Sequence, residues 1–168
     1  MTEVEGVVRG ETVVLTAGLP ELDGRPVRIT IEPIEDEPAT AEELPPMARL
    51  IGRSVVSASP DGTVELRFEG SPRFCNRFGT IQGGMLAAML DSALAHSAMA
   101  ALGPGQSALT VEMSTRFFRP TAPGTITARA SLLHRSSQLA HAQADLFDSA
   151  GVRLAHATGS MRIADGRS

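Results

Sequence analysis

Gly83-Gly84-Met85-Leu86-Ala87-Ala88-Met89-Leu90-Asp91-Ser92-Ala93-Leu94-Ala95-His96-Ser97-Ala98-Met99-Ala100-Ala101-Leu102 is the stretch on which the fold turns. It opens on paired glycines, contains no proline, and is stopped by Gly103-Pro104-Gly105, which predicts one long helix from Gly83 to about Leu102. Met85, Leu86, Ala88, Met89, Leu90, Leu94 and Met99 cover its full circumference, so burial on most faces is expected. By length alone Ile81 to Leu102 can span a bilayer. It carries Gln82, Asp91 and His96, however, and a central Asp is penalised by ~2.5 to 3.5 kcal/mol on insertion. A buried helix of a soluble protein is the expectation.

Strand patterns surround this helix. Before it, the turn signal Ser59-Pro60-Asp61-Gly62 leads into Thr63 to Glu69, where Val64, Leu66 and Phe68 alternate with Glu65 and Arg67. After it come four strand candidates with no second helix: Ser107 to Phe118, Thr125 to His134, Gln138 to Asp148 and Val152 to Ile163. Connections as short as Thr121-Ala122-Pro123-Gly124 and Ser149-Ala150-Gly151 allow only antiparallel neighbours, because a parallel crossover needs a dozen or more residues. Ala140, Ala142 and Ala144 alternate with His141, Gln143 and Asp145, giving a face of small residues on which a helix can sit closely. The reading is an α+β fold in which one curled antiparallel sheet wraps a central helix.

Upstream, residues 4–15 and 26–34 are β-branched and roughly alternating, and residues 36–46 are acidic and proline-rich. We therefore expect a small β-rich module over 1–35, a linker over 36–46 and the main domain over 47–168. Charge divides at the same place. Residues 1–45 hold 11 acids against 3 Arg, a net −8, whereas residues 46–168 hold 8 acids against 12 Arg, a net +4. A basic main domain suits a polyanionic ligand. The basic residues are all Arg, Trp and Tyr are absent, and the six Phe are the only aromatics. That composition removes the Lys clusters and most of the stacking platforms of single-strand nucleic-acid binders, so no nucleic-acid partner is expected. The lone Cys75 allows no internal disulfide, and Met-Thr-Glu-Val-Glu opens the sequence without a basic or apolar export signal. A cytoplasmic location without membrane attachment is the expectation.

The residues able to do chemistry cluster on the helix. Asp91 stands almost alone as a charge between Gly79 and Thr110, and an unpaired carboxylate inside an apolar helix is costly, so it is either paired structurally or kept for function. Gly83 and Gly84 lie at the helix start, where backbone N–H groups are unsatisfied and a developing oxyanion can be held. The four histidines, His96, His134, His141 and His156, have no ligand-type spacing and no cysteine partner, so neither a metal nor another cofactor is expected. No Gly-x-Ser-x-Gly elbow and no P-loop is present.

Asn76-Arg77-Phe78-Gly79-Thr80-Ile81-Gln82-Gly83-Gly84-Met85-Leu86-Ala87-Ala88-Met89-Leu90-Asp91 resembles the motif of hotdog-fold acyl-CoA thioesterases of the PaaI (phenylacetate-degradation) type. That motif reads Asn, five residues, His-Gly-Gly, then Asp seven residues after the last Gly. Thr110-Val111-Glu112-Met113, Phe118-Arg119-Pro120 and the segment from Asp148-Ser149-Ala150-Gly151 to Ala157-Thr158-Gly159 look like the family's later strands, so the resemblance covers about residues 47–163. It implies a hotdog fold with active sites at a homodimer interface, as a dimer or a dimer of dimers, and hydrolysis of an acyl-CoA to free acid and CoA. By the same resemblance Gly83 N–H polarises the thioester carbonyl, with Gly84 beside it. Asp91 of the partner subunit activates water as general base or attacks as nucleophile. Asn76 orients the water or the thioester, and Thr110 holds the water beside Asp91.

The sequence departs from the motif twice. Gln82 replaces the usual His, exchanging a ring that can carry a proton for an amide that donates and accepts hydrogen bonds. In Arg135-Ser136-Ser137-Gln138 the basic residue is offset by two positions from the one that lies near the CoA phosphates in the family. Arg135, Ser136 and Ser137 stand as substrate-binding candidates, with Arg119 as a further phosphate candidate. Two alternative functions follow. If Gln82 marks lost chemistry, the domain binds acyl thioesters without cleaving them. A hotdog hydratase or dehydratase would need a His beside a carboxylate, and His96, five positions from Asp91, lies off its helical face.

Overall fold

The computed structural model describes residues 6–9, 12–15 and 44–165. The chain divides into two units, Met1–Pro38 and Ala39–Ser168. In the first, β1 (Gly6–Arg9) pairs antiparallel with β2 (Thr12–Leu15), with Val7 opposite Val14 and Val8 opposite Val13. The strand expected at 26–34 and the linker over 36–43 lie outside the described residues.

In the second unit the first helix among the described residues is short, α1 (Pro46–Leu50), and it begins where the sequence pattern places the end of the linker. Proline at its first position suits a helix start, where the missing N–H would have had no partner. β3 (Ser54–Ala58) and β4 (Val64–Gly70) form the expected hairpin, and β4 buries Val64, Leu66 and Phe68 on one face as its alternation requires. At the hairpin turn Gly62 has φ +85, and a Cβ there would lie 2.5 Å from the Leu132 Cβ. The fully buried Ser97 hydroxyl donates to the Gly62 carbonyl at 2.6 Å, fastening this turn to the central helix.

That helix, α2 (Gly83–Ala100), is followed by β5 (Gln106–Phe117), β6 (Gly124–Arg135), β7 (Leu139–Phe147) and β8 (Arg153–Asp165). The sheet order is β3-β4-β6-β7-β8-β5, antiparallel throughout. β5 and β6 are consecutive and closely linked, yet they are not neighbours. The residues between them cross the end of the sheet, with Thr121 accepting from Ile81 N–H at 2.8 Å and Phe118 N–H donating to Leu154 at 2.9 Å. Two prolines, Pro120 and Pro123, remove ladder donors and keep this link from closing as a hairpin.

α2 lies on the sheet through Leu86, Met89, Leu90, Ala93, Leu94, Ser97 and Ala98, spaced three and four apart. The floor under it is made of Ala128, Ala140, Ala142, Ala144, Ala155 and Ala157, all buried. Gly159 completes that floor. A Cβ there would stand 2.9 Å from the Leu94 Cδ1 and 3.1 Å from the Glu112 carbonyl, so close helix approach excludes a side chain. Burial on most faces is not what the unit shows. One stripe is buried, while Gly84, Ala87, Ala88, Asp91 and Ala95 on the other side are half-buried or exposed. The sheet curls round only one side of the helix, and on the opposite side a Cβ at Gly84 would meet nothing within 4 Å.

Candidate active site

The start of α2 is held from two directions. Ile81 N–H is bonded to the Thr121 carbonyl and Gln82 N–H to the Phe74 carbonyl, each at 2.8 Å. Gln82 occupies the N-cap with extended backbone, φ −61 and ψ 136, and its carbonyl accepts from Met85 and Leu86. Its side chain makes no capping bond and is exposed. Gly83 and Gly84 follow as the first two helical residues, whose N–H groups have no preceding turn to bond.

Neither glycine is explained by its own chain. Both have negative φ, and a Cβ on Gly84 would meet nothing within 4 Å, while one on Gly83 would reach the Phe117 ring only at ordinary contact, 3.4 to 3.7 Å. Gly is a poorer helix former than Ala, by about 1 kcal/mol in a helix interior. Open space is thus kept before two unbonded N–H donors, flanked by the Phe117 ring. Phe117 was not singled out in the sequence. Its signal was available in the alternation Met113, Thr115, Phe117, which continues one face of β5 toward the helix start.

Asn76 braces the loop leading into this start. Its Oδ1 accepts from Phe78 N–H at 2.8 Å and Thr80 N–H at 3.4 Å, and its Nδ2 donates to Thr80 Oγ1 at 3.0 Å. Both halves of the amide are engaged within residues 76–80.

Asp91 meets Thr110 in the same chain, the Thr110 hydroxyl donating to Asp91 Oδ1 at 2.7 Å. A register shift between Thr110 and Glu112 explains how. β5 bulges at Val111, which re-aims Thr110 at the helix flank. Asp91 is half-buried and hydrogen-bonded rather than enclosed in apolar surroundings. Gly83 and Asp91 are eight residues apart on α2, about 12 Å along its axis.

The remaining candidates separate. Arg119 is exposed beside Phe118, Val152 and Arg153, which line an open cleft at the α2 start end of the sheet. Arg135 lies at the other end of α2, where its Nη1 donates to the Ala101 carbonyl, a favourable place for a cation. Ser136 closes the β6–β7 turn, its hydroxyl accepting from Leu139 N–H at 3.0 Å, and Ser137 is exposed in that turn. Within the chain the Arg135–Ser137 group and Gly83 are thus far apart. Among the described residues no three His, Cys, Asp or Glu side chains gather as a metal-ligand set, and no helix is long and apolar enough to cross a membrane.

Comparison with known proteins agrees with this architecture. The thioesterase superfamily profile matches residues 78–155. The solved structure of a phenylacetic acid degradation-related protein from Ralstonia eutropha is 30% identical, with 71% of this chain and 90% of that chain covered and a TM-score of 0.68. Two further structures share the fold: the PaaI protein of the E. coli phenylacetic acid degradation operon (22% identity, 71% and 84% covered, TM-score 0.65) and a thioesterase from Haemophilus influenzae (17% identity, 70% and 82% covered, TM-score 0.65). No curated protein sequence matches the chain. The curled sheet packed on one long helix, the matched profile and the 30% identical relative together place the chain in the thioesterase superfamily, as a hotdog-fold member of the PaaI type.

Proposed function

We propose that the protein hydrolyses acyl-CoA thioesters in a site shared by two copies of the chain. The observation that carries this reading is the Asp91–Thr110 pair at the β5 bulge. Thr110 donates to Oδ1, and Oδ2 is the oxygen that would take a proton from water or attack a carbonyl carbon. The Gly83 and Gly84 N–H groups are the matching oxyanion donors. At about 12 Å from Asp91 along one helix, they cannot act on the same thioester as the Asp91 of their own chain.

A second copy removes the difficulty. β5 is an edge strand with Leu109, Val111 and Phe117 exposed, the form of edge that pairs with another strand. Antiparallel pairing of two β5 strands about a twofold axis near Met113 and Ser114 sets Phe117 of one copy opposite Thr110 of the other. Gly83 lies against Phe117 and Asp91 against Thr110, so the donors of one copy then face the carboxylate of its partner.

The thioester oxygen accepts from Gly83 N–H as negative charge gathers on it. Asp91 takes a proton from water while the hydroxide oxygen bonds to the carbonyl carbon, and collapse breaks the C–S bond to release CoA thiolate, which is protonated, and the free acid. If Asp91 attacks directly, an acyl-aspartate anhydride forms first and water cleaves it. A thiolate leaves without a strong general acid, so Gln82 in place of His does not remove an essential proton donor. Asn76 acts by bracing the loop that positions Gln82 and Gly83. The hydratase reading loses ground because the His96 ring is bonded to the Ser92 carbonyl, away from Asp91.

The test is release of free CoA thiol from a panel of short, long and aromatic acyl-CoAs. Thiol release that disappears in Asp91→Ala supports the proposal, and binding without release across the panel moves the assignment to a thioester-binding domain. Label in the Asp91 carboxylate after a single turnover in 18O-water would establish the nucleophilic route, with water cleaving the anhydride at the aspartyl carbonyl.

A further inference from the structure

The opposite flank of α2 carries a polar cluster that the hydrolytic site does not use. Arg53, between α1 and β3, reaches α2 and donates from Nη1 to the Ser92 hydroxyl at 3.3 Å. One turn on, His96 Nδ1 is 2.7 Å from the Ser92 carbonyl. All three residues are half-buried, and Ser92 and His96 share one helical face, about 100° or more round the helix from Asp91.

The cluster is chemically incomplete. The ion pairs among the described residues are Glu65–Arg129, Asp145–Arg153 and Asp145–His156, and none neutralises Arg53. Its Nε is buried without a hydrogen-bond partner. Desolvation holds the Arg53 guanidinium below its ordinary pKa, a sign that the charge is poorly compensated. The His96 ring is also lowered, mainly by burial, with the Arg53 charge adding to this and the Ser92 carbonyl bond opposing it.

The tautomer follows from the partner. A carbonyl only accepts, so Nδ1 carries the proton and the neutral ring offers a lone pair at Nε2. The cluster therefore presents guanidinium donors, a hydroxyl that both donates and accepts, and an imidazole acceptor. A carboxylate would satisfy the donors and leave Nε2 unmatched. A hydrogen phosphate or phosphomonoester group has negative oxygens for Arg53 and Ser92 and a P–O–H that can donate to His96.

We propose that Arg53, Ser92 and His96 form a binding site for a phosphate group. The phosphate can be that of a free phosphorylated ligand or the 3′-phosphate of CoA, and the chemistry recognised is the same.

The measurement is NMR of the histidine ring signals in the full chain during titration with inorganic phosphate, against sodium chloride of equal ionic strength. The His96 signals are expected to move on a saturating curve, with those of His134, His141 and His156 moving less. Arg53→Met should remove the shift. Arg53→Lys, which keeps the charge and loses the planar fork, should weaken binding by about tenfold, and it serves if the Met variant does not fold. Parallel titrations with CoA and 3′-dephospho-CoA identify the source. A response to CoA alone assigns the site to the nucleotide of the substrate, and equal responses to the two with saturation by phosphate assign it to a separate ligand. His96 signals that move with none of these, or as much in both Arg53 variants as in the native chain, would overturn the proposal. This readout needs no catalysis, so it stands or falls apart from the thioesterase reading.

Discussion

The two sides of α2 both carry apolar residues in the sequence and are quite different in structure. The side on the sheet is closed: Met89, Leu90, Ala93 and Leu94 are inaccessible to solvent, and its one polar residue, Ser97, is hydrogen-bonded to Gly62. The other side carries glycine, alanine and Asp91 and is partly open, and a Cβ on Gly84 would meet nothing within 4 Å. A helix whose free side is small and apolar, bordered by an edge strand with exposed Leu109 and Val111, is shaped to be covered by something else. The difference teaches that apolarity on the first side builds the fold, whereas the second side is where the proposed partner and substrate would sit.

Substitutions on the two sides should therefore fail in different ways. Asp91→Ala, on the open side, should lower thiol release by about 100- to 10,000-fold, the range typical of losing a positioned general base, with little change in thermal midpoint. Loss of folding in that variant would break the contrast. Gly83→Pro is sharper still. Proline is tolerated at the first helical position, and the extended backbone of Gln82 suits a residue before proline. The variant removes one N–H donor while preserving the helix, so kcat should fall by about 100- to 1,000-fold in a folded protein. Unchanged kcat would remove Gly83 from the oxyanion role.

On the closed side the readout should reverse. Leu90→Ala should destabilise the domain by about 2 to 5 kcal/mol in denaturant unfolding, with kcat of the folded fraction nearly unchanged. A large fall in kcat at full stability would show that the two sides are coupled. The smallest effect belongs to Thr121, which is 3% exposed and whose hydroxyl has no hydrogen-bond partner. Its backbone carbonyl, not its side chain, holds Ile81. Thr121→Val should be neutral within about 0.5 kcal/mol or slightly stabilising, because it removes an unsatisfied buried polar atom. A loss above about 2 kcal/mol would place an unrecognised partner on that hydroxyl.

Much of this is legible in the sequence alone. The helix ends at Ala100, two residues short of the expected stop, and all four later strands lie within a residue or two of their patterns, because period and punctuation are local properties. The alanine face of β7 was equally readable. The place of β5 was not. A short link suggested a neighbour of β6, whereas the strand lies at the far edge beside β8, a choice made by pairing between residues some 40 to 60 positions apart. Asp91, Asn76 and Gly83 stood out through motif spacing, but the roles attached to them came with the family resemblance.

Local rules of period, capping and composition were enough to specify one long helix, a small-residue floor to carry it, antiparallel strands and an acidic leading segment ahead of a basic domain. They could not say which side of an all-round apolar helix would be covered, because a helix has no preferred face until a sheet is laid against it. The bulge that turns Thr110 onto Asp91, the ring of Phe117 beside Gly83, and the reach of Arg53 to Ser92 across 39 residues arise only from tertiary packing. Each depends on register or on long-range approach, and neither is written in the spacing of residues along the chain.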